Sequence, residues 1–302
     1  MGLNRYLLDD RKPRTLSFIS WQVSVVSSVT EPPADRSSLQ SNERRFVRVL
    51  FLSADDEFAS VMQLPVYARM PEIPVGCVVS TCKVYKMSDL QAAAFLLKQS
   101  GSYFVWQMLK MKIFRRLLVS ENINKPSKLA TSHGYPLHRT TNVNSSTSLD
   151  FLRKQKPDIL VSTNFNQYIG RHVREIPTLG TWNIHKAFLP QYRGMAPSFH
   201  ALLEGSESAG VTLHVVEKGF DVGPIIGQQR IPVEENDTVH SLNRKASEAG
   251  GALLTQALET VLKAGRIQTR PQPPGDWQQY TYPSHSEVTR FRRMGLLFDR
   301  LR

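Results

Sequence analysis

Cysteine is almost absent: Cys77 and Cys82 are the only two in 302 residues. Two thiols cannot staple a chain of this length, which excludes a disulfide framework and fits a reducing cytoplasm. Zinc-ligand spacing is missing as well, and no metal is expected. No apolar stretch approaches the ~20 residues that a bilayer span needs. The most apolar early segment, Phe18 to Val29, is interrupted by Ser, Gln and Trp and has no small-residue cleavage site, which argues against a secretory leader. The start, Met1-Gly2-Leu3-Asn4-Arg5-Tyr6, lacks the Ser or Thr that a myristoylation pattern needs at its sixth position. Neither a G-x-G-x-x-G after the first strand nor a Walker A sequence occurs, so the chain has no such cradle for dinucleotide or nucleotide phosphates.

Acid is also in deficit. Against 38 Lys and Arg there are 26 Asp and Glu, a formal charge of +12. That balance permits nucleic acid, an acidic membrane surface or a phosphorylated small substrate as partner, and does not choose among them. Part of the surplus lies in Lys110, Lys112, Arg115 and Arg116, interleaved with Leu109, Met111, Ile113 and Phe114. The plain reading of such a segment is a solvated helix face.

What is present is ordinary globular material, 41% apolar and 21% charged, long enough for a substantial core. Residues 1 to 44 are Ser-rich, contain Pro32-Pro33 and show no sustained period, so they read as an N-terminal extension of low order. From Arg45 the texture changes. Phe46 to Leu52 is a nearly continuous apolar strand, as in a sheet covered on both faces, and Ser53-Ala54-Asp55-Asp56 caps a helix. Further strands are expected at Val75–Ser80, Asp158–Ser162, Thr181–His185, Val211–Val216 and Ile225–Ile231. Helical patterns fall at Ser88–Lys98, Tyr103–Leu118, Ser148–Lys154 and Asp237–Lys263, with another opened by Pro197 and stopped by Gly205. This alternation predicts an α/β fold, a mostly parallel twisted sheet with helices on both faces, over residues 45–265. Residues 266–302 are polar and Pro-rich, enough for a tail, a small hairpin or a short helix.

The chemistry gathers in two places. In Asn183-Ile184-His185, strand alternation points the Asn and His side chains the same way, about 7 Å apart. An amide donor beside a proton-shuttling imidazole, where a strand gives way to a loop, is minimal equipment for acyl transfer. Downstream, Gly219-Phe220-Asp221-Val222-Gly223-Pro224 presents one acid on a tight turn between two apolar strands. Asp221 meets His185 if those strands lie close in the sheet.

Together these residues resemble the folate-dependent formyltransferase family, which includes glycinamide ribonucleotide, methionyl-tRNA and amino-sugar formyltransferases. The resemblance rests on Asn183 and His185, then Leu189-Pro190 with Arg193-Gly194 and Pro197, then Gly210-Val211-Thr212 with His214, then Asp221 with Gly223-Pro224-Ile225. It is densest from Lys156 to Gly265. One departure is Ala187-Phe188-Leu189-Pro190, where the family usually has Ser-Leu-Leu-Pro. The lost serine puts one hydrogen bond in doubt and leaves the three catalytic positions intact.

The resemblance implies a Rossmann-like formyltransferase fold and transfer of the formyl group of 10-formyltetrahydrofolate to a primary amine, without a metal. Asn183 and His185 would stabilise charge on the formyl oxygen, and Asp221 would fix the His185 tautomer and help collect the amine proton. It places the pterin slot on Asn164, Phe165, Asn166, Gln167 and Tyr168, with Phe220 and Val222 across from them; the alternative for Asn164, Asn166 and Gln167 is capping of the following segment. Pro190, Arg193 and Gly194 would face the acceptor, with Arg193 either meeting a phosphate or serving the loop. His214 reads as structural.

For the acceptor, the Arg-Gly-x-x-Pro loop is similar to the methionyl-tRNA and amino-sugar branches. Only some 37 residues follow Gly265, fewer than a typical domain, so the expectation is a small amine, foremost an amino sugar carried on a nucleotide. A methionyl-tRNA enzyme holding RNA through Lys110, Lys112, Arg115 and Arg116, a formyltetrahydrofolate hydrolase and a non-catalytic folate- or RNA-binding protein are the alternatives. No membrane partner is expected, and the oligomeric state stays open.

Overall fold

In the computed structural model, residues 47–82, 84, 86–118, 125–275 and 277–300 are described. The extension expected over residues 1–44 lies outside them. The chain begins with β1 (Val49–Ala54), α1 (Glu57–Arg69), β2 (Pro74–Ser80), α2 (Asp89–Leu118), α3 (Pro126–Ser132) and β3 (Leu137–Thr140). Next come α4 (Ser146–Gln155), β4 (Ile159–Thr163), α5 (Arg171–Arg174), β5 (Thr181–His185), β6 (Arg193–Gly194) and α6 (Pro197–Leu203). It ends with β7 (Ser208–Val215), β8 (Ile225–Pro232), α7 (Val239–Ala264), β9 (Gln279–Tyr280) and α8 (His285–Arg293). Local signals set many of these bounds. Asp56 caps α1 by accepting from the Ala59 amide at 2.9 Å, and Thr238 opens α7 with a capping box. Gly265 closes α7 in a left-handed conformation. The helical patterns before and after Gly101 are halves of α2, which breaks there at φ +83.

Seven strands form one sheet in the order β3-β2-β1-β4-β5-β7-β8. The first five run parallel, and β7 and β8 are antiparallel to their neighbours. The expectation of a mainly parallel, helix-covered α/β sheet is met; the antiparallel turn at β7 and β8 was not visible in their apolar runs.

Strand alternation divides the core. On one face Phe51, Val79, Val161, Trp182, Ile184, Val211 and Leu213 pack with Met62 and Val66 of α1, Leu129 of α3 and Leu254 and Leu258 of α7. On the other, Leu50, Leu52, Val78 and Leu160 pack with Leu152 of α4 and Val173 of α5. Alternation puts Asn183 and His185 of β5, and Thr212 and His214 of β7, on this second face as well. The second face is therefore apolar over β1, β2 and β4 and polar over β5 and β7. A third cluster, beside the sheet, joins Phe104 of α2, Phe199 of α6 and Phe291 of α8 with Phe298.

After α7 the chain returns to the sheet. Arg270 exchanges two backbone hydrogen bonds with Ile225, at 2.7 and 2.9 Å, along the outer side of β8. Further on, β9 pairs in parallel with β6. Among the described residues, no helix is long and apolar enough to cross a membrane.

Candidate active site

The antiparallel register of β5 and β7 sets Asn183 opposite His214 and His185 opposite Thr212. The site therefore spreads over the sheet face near the carboxyl end of β5. The loop that follows β5 is anchored from below. Buried Thr212 donates through Oγ1 to the Ala187 carbonyl at 2.7 Å and accepts from the Leu189 amide at 3.1 Å. Gln228 of β8 donates through Nε2 to the Leu189 carbonyl at 2.7 Å. Ala187 is buried, and these bonds hold the loop without the serine usual at that position in the family. The loop carries a cis Leu189–Pro190 peptide and a left-handed Tyr192. Its Tyr192 carbonyl lies 2.8 Å from His185 Nε2. Since a carbonyl oxygen can only accept, that nitrogen carries the hydrogen, and Nδ1 faces the carboxylate of Asp221.

Asp221 reaches this point from the turn between β7 and β8, itself in a left-handed conformation at φ +55. A Cβ on Gly223 would collide with the Val215 carbonyl, so only glycine lets the turn fold this closely onto β7. One carboxylate oxygen of Asp221 accepts from the Gly194 amide at 2.8 Å and lies 3.6 Å from His185 Nδ1. The other accepts from Asn183 Nδ2 at 3.3 Å and lies 3.5 Å from His214 Nε2. Asn183 Nδ2 is also 3.2 Å from that same His214 nitrogen, and His214 Nδ1 is 2.8 Å from the Val215 carbonyl. Asn183, His185, His214 and Asp221 thus form one cluster. The structure brings the three expected catalytic residues together, and His214, read from sequence as structural, is part of the same group.

The electrostatics follow from burial against these partners. Burial pushes the Asp221 carboxyl up, but the charge of His185, the bond and charge of His214 and the Gly194 amide outweigh it and hold it well below the usual carboxylate range. Burial pushes the His185 ring down from its ordinary value, against the pull of Asp221 and the Tyr192 carbonyl, with His214 and Lys186 adding to the fall. At neutral pH the cluster therefore holds an ionised carboxylate beside a neutral imidazole, a donor–acceptor set suited to moving one proton.

Next to it stands a cation that the sequence did not single out. Lys186 donates to Asn164 Oδ1 at 2.9 Å and sits 4.8 Å above the Phe58 ring, and Asn164 donates in turn to Asp56 at 2.6 Å. Burial brings the Lys186 amine down to about 8, with Asp56 resisting.

The residues expected around a pterin divide into two groups. Tyr168, Phe220 and Val222 are exposed, and the Tyr168 and Phe220 rings meet edge to face at 5.8 Å, giving an open apolar surface beside Asp221. Asn164, Phe165, Asn166 and Gln167 point elsewhere. Phe165 packs against the α4-side core, and Asn166 donates to the Cys82 carbonyl at 2.6 Å. Gln167 departs from the expectation of a slot residue. It is buried, accepts from the Val143 amide at 2.7 Å and donates to Ser80 at 2.9 Å and the Thr140 carbonyl at 3.1 Å, so its amide ties the ends of β2 and β3 together.

On the expected acceptor side, Pro190 is buried. Gly194, at φ +94, lies so close to the Tyr280 carbonyl of β9 that a Cβ would collide with it. Arg193 donates to Gln272 Oε1 at 2.6 Å. Gln272 Nε2 donates to the carbonyls of Asp221 at 2.7 Å and Gly223 at 2.8 Å. One amide from the polar C-terminal region therefore joins both loops of the cluster. Tyr192 and Tyr280 add a second link by donating to the two oxygens of Glu204, at 3.0 and 2.8 Å. Nothing in the local sequence around Gln272 announces this role, and that of His214 emerges only with the pairing of β7 on β5. A separate surface cavity of about 540 Å³, lined by Arg48, Arg153, Lys156, Asp158, His172 and Thr178, lies at the amino ends of β1 and β4.

Residues 112–258 match the formyl transferase family model. The chain carries a formyl transferase domain. All four residues of the cluster fall within it. A methionyl-tRNA formyltransferase of Kosmotoga olearia is 34% identical over 155 residues, which cover 51% of this chain and 49% of that protein. The chain spans about half the length of the curated relatives it matches. Among solved structures, the N-formyltransferase of Helicobacter canadensis in complex with folinic acid and dTDP-3-aminofucose superposes with a TM-score of 0.51 at 15% identity, covering 77% of this chain and 71% of that one. Glycinamide ribonucleotide transformylase 1 of Symbiobacterium toebii superposes with a TM-score of 0.52 at 16% identity, covering 78% and 99%. At these identities the likeness is one of fold, and it agrees with the Rossmann-like formyl transferase architecture expected from the sequence.

Proposed function

We propose that this chain transfers a formyl group from 10-formyltetrahydrofolate to a primary amine. The observation that carries the reading is the convergence of Asn183, His185 and His214 on the single carboxylate of Asp221. The exposed Tyr168, Phe220 and Val222 fit the flat, apolar side of a pterin and would shield it from water. When bound, the folate supplies an activated formyl carbon.

The chain's own groups then do the following. The neutral His185 gives its Nε2–H bond up from the Tyr192 carbonyl to the oxygen on which charge develops, and Asn183 Nδ2 supplies a second donor. Each such donor is worth ~10²–10³ in rate. His185 Nδ1 would take the proton that the amine sheds as its nitrogen bonds to the formyl carbon, the ionised Asp221 stabilising the cation while it stays on the Gly194 amide, and His185 would return that proton to the departing folate nitrogen as the bond from that nitrogen to the formyl carbon breaks. His214, with Nδ1 at the Val215 carbonyl and Nε2 beside both Asn183 and Asp221, holds these two side chains in place.

For the acceptor, we favour a nucleotide-linked amino sugar, supported by the dTDP-3-aminofucose in the complex of the Helicobacter canadensis enzyme, whose fold this chain shares. The names of the methionyl-tRNA formyltransferases at 30–34% identity favour the second reading, an aminoacyl-tRNA acceptor. Incubation with 10-formyltetrahydrofolate and a panel of nucleotide-linked amino sugars, methionyl-tRNA and free amino acids, with mass detection of formylated product, tests both. A formylated amino sugar supports the first reading and formylmethionyl-tRNA the second; no product gaining a formyl group from any amine overturns the proposal.

A further inference from the structure

The cavity at the amino ends of β1 and β4 is built from segments that the Asp221 cluster does not use. Arg48 enters it from the residue before β1, Arg153, Lys156 and Pro157 from the end of α4, and Ile176 from the turn after α5. Its volume of about 540 Å³ is that of a small-molecule pocket. Asp158 on its wall lies four residues before Ser162, which pairs with Asn183, so ~13 Å of strand separates the two places. An occupant here touches none of the reacting groups.

The charges of the lining do not cancel for such an occupant. The cavity holds two acids, and the fold uses both. Asp158 accepts from the Arg48 amide and from Thr178 Oγ1, each at 2.9 Å, a knot that ties β1, β4 and the approach to β5 together. Glu175 accepts from Arg171 Nε at 2.7 Å. The cations are less engaged. Arg48 Nε lies 3.7 Å from the Asp158 carboxylate, and 44% of its side chain is exposed. Arg153 faces Asp150 at 3.5 Å on the exposed surface of α4, and a pair so open to water holds a guanidinium weakly. Lys156 has no side-chain partner among the described residues.

Lys156 is also a costly choice. It closes α4 in the left-handed region at φ +47, where glycine is the ordinary residue and a side chain is strained. Positive charge suits a helix end, but Arg153 and Lys154 already stand in the last turn, so the helix alone does not call for a lysine there. Guanidinium forks and a free ammonium match the oxygens of a phosphate. Pro157 and Ile176 add an apolar wall, and the cavity is larger than one inorganic ion fills.

We propose that this cavity is a second ligand site, which takes a small phosphorylated organic molecule, its phosphate held between Lys156, Arg153 and Arg48 and its body against Pro157 and Ile176. The site is independent of the formyl transfer reading, because no residue of the Asp221 cluster takes part.

The test is calorimetric titration of the full chain, in metal-free buffer, with ADP, ribose 5-phosphate and inorganic pyrophosphate in turn. The expected result is saturable binding of ADP or ribose 5-phosphate, weakened by salt. Binding should be about tenfold weaker in Lys156→Gly, and one equivalent should be lost in the double variant Lys156→Gly, Arg153→Gln. Asp221→Asn should keep that equivalent. Lys156→Gly should unfold in urea no earlier than the parent chain, since glycine suits the left-handed cap, which separates a lost ligand contact from a damaged helix. The proposal is overturned if neither organic phosphate binds, if the double variant binds undiminished, or if pyrophosphate binds more tightly than both. Loss of the same equivalent in Asp221→Asn equally overturns it.

Discussion

One face of the sheet is built in two ways. Over β1, β2 and β4 it is apolar, with Leu50, Leu52, Val78 and Leu160 under Leu152 and Val173. Over β5 and β7 it presents Asn183, His185, Thr212 and His214, and loops cover it instead of helices. The difference follows from strand direction. A parallel connection must cross back over the sheet, and its helix lands on a face, whereas an antiparallel pair such as β7 and β8 closes with a short turn. Where the sheet changes direction, a face is left without a helix, and polar side chains can stand on it provided loops satisfy them. Apolar packing fills the first half, and the polar cluster stands on the second.

Five substitutions test that division. The largest effect belongs to Asp221→Asn, which keeps the shape but removes the charge that His185 and His214 share. Formyl transfer should fall about a thousandfold or more while the fold, read by circular dichroism, stays intact; full activity would remove chemistry from the polar half. Leu160→Ala, in the apolar half, should cost ~2–5 kcal/mol in denaturant unfolding with turnover per folded molecule preserved. Loss of activity at unchanged stability would break the comparison.

Gln272→Ala should act between these extremes, because its amide positions Asp221 and Gly223 without touching substrate. Turnover should drop about tenfold, ~1.4 kcal/mol in the barrier, mostly in kcat, and Gln272→Glu should not rescue it since the carboxylate cannot donate to two carbonyls. The smallest effect is a slope. The folded His185 ring binds its proton less readily than an unfolded one near ~6.5, so the unfolded chain takes up more protons as pH falls below that value and stability declines until the folded ring titrates. Depressed Asp221 adds a fall of the same sign at lower pH, its stability being present above the unfolded carboxylate value and lost as pH falls toward the folded one. His185→Gln should therefore flatten the fall in stability just below pH ~6.5, and Leu160→Ala should leave its slope unchanged, both read from urea midpoints across pH.

Much of the frame was legible because its signals are local. Asp56 caps α1, Thr238 and Gly265 bound α7, and the buried run at Phe51 and Leu52 announces a covered strand. The site was legible in its types and spacing: Asn183 and His185 share a face by alternation, and Asp221 sits on a turn whose glycine is forced by the Val215 carbonyl. The rest depends on pairings across the chain. The run Val211 to Val215 alternates apolar residues with Thr212 and His214, which marks its two faces but not its neighbour, so the place of His214 beside Asn183 could not be read from its pattern. Leu137 to Thr140 is too polar and short to stand out as β3. Gln167 looked like a ligand residue because its use by Val143, Ser80 and Thr140 is decided by neighbours distant in sequence. Gln272 is an unremarkable polar residue until Arg193, Asp221 and Gly223 are folded around it.

The last strand of the sheet has a consequence for molecules that meet one another. An unprotected rim of backbone donors and acceptors invites strand exchange. On β8, Arg270 already takes the first position through Ile225, Pro232 offers no N–H at the last, and Arg230 stands charged in between. The β8 edge of the sheet is therefore a poor template for a foreign β-strand, and crowding this protein should not seed fibres from that rim.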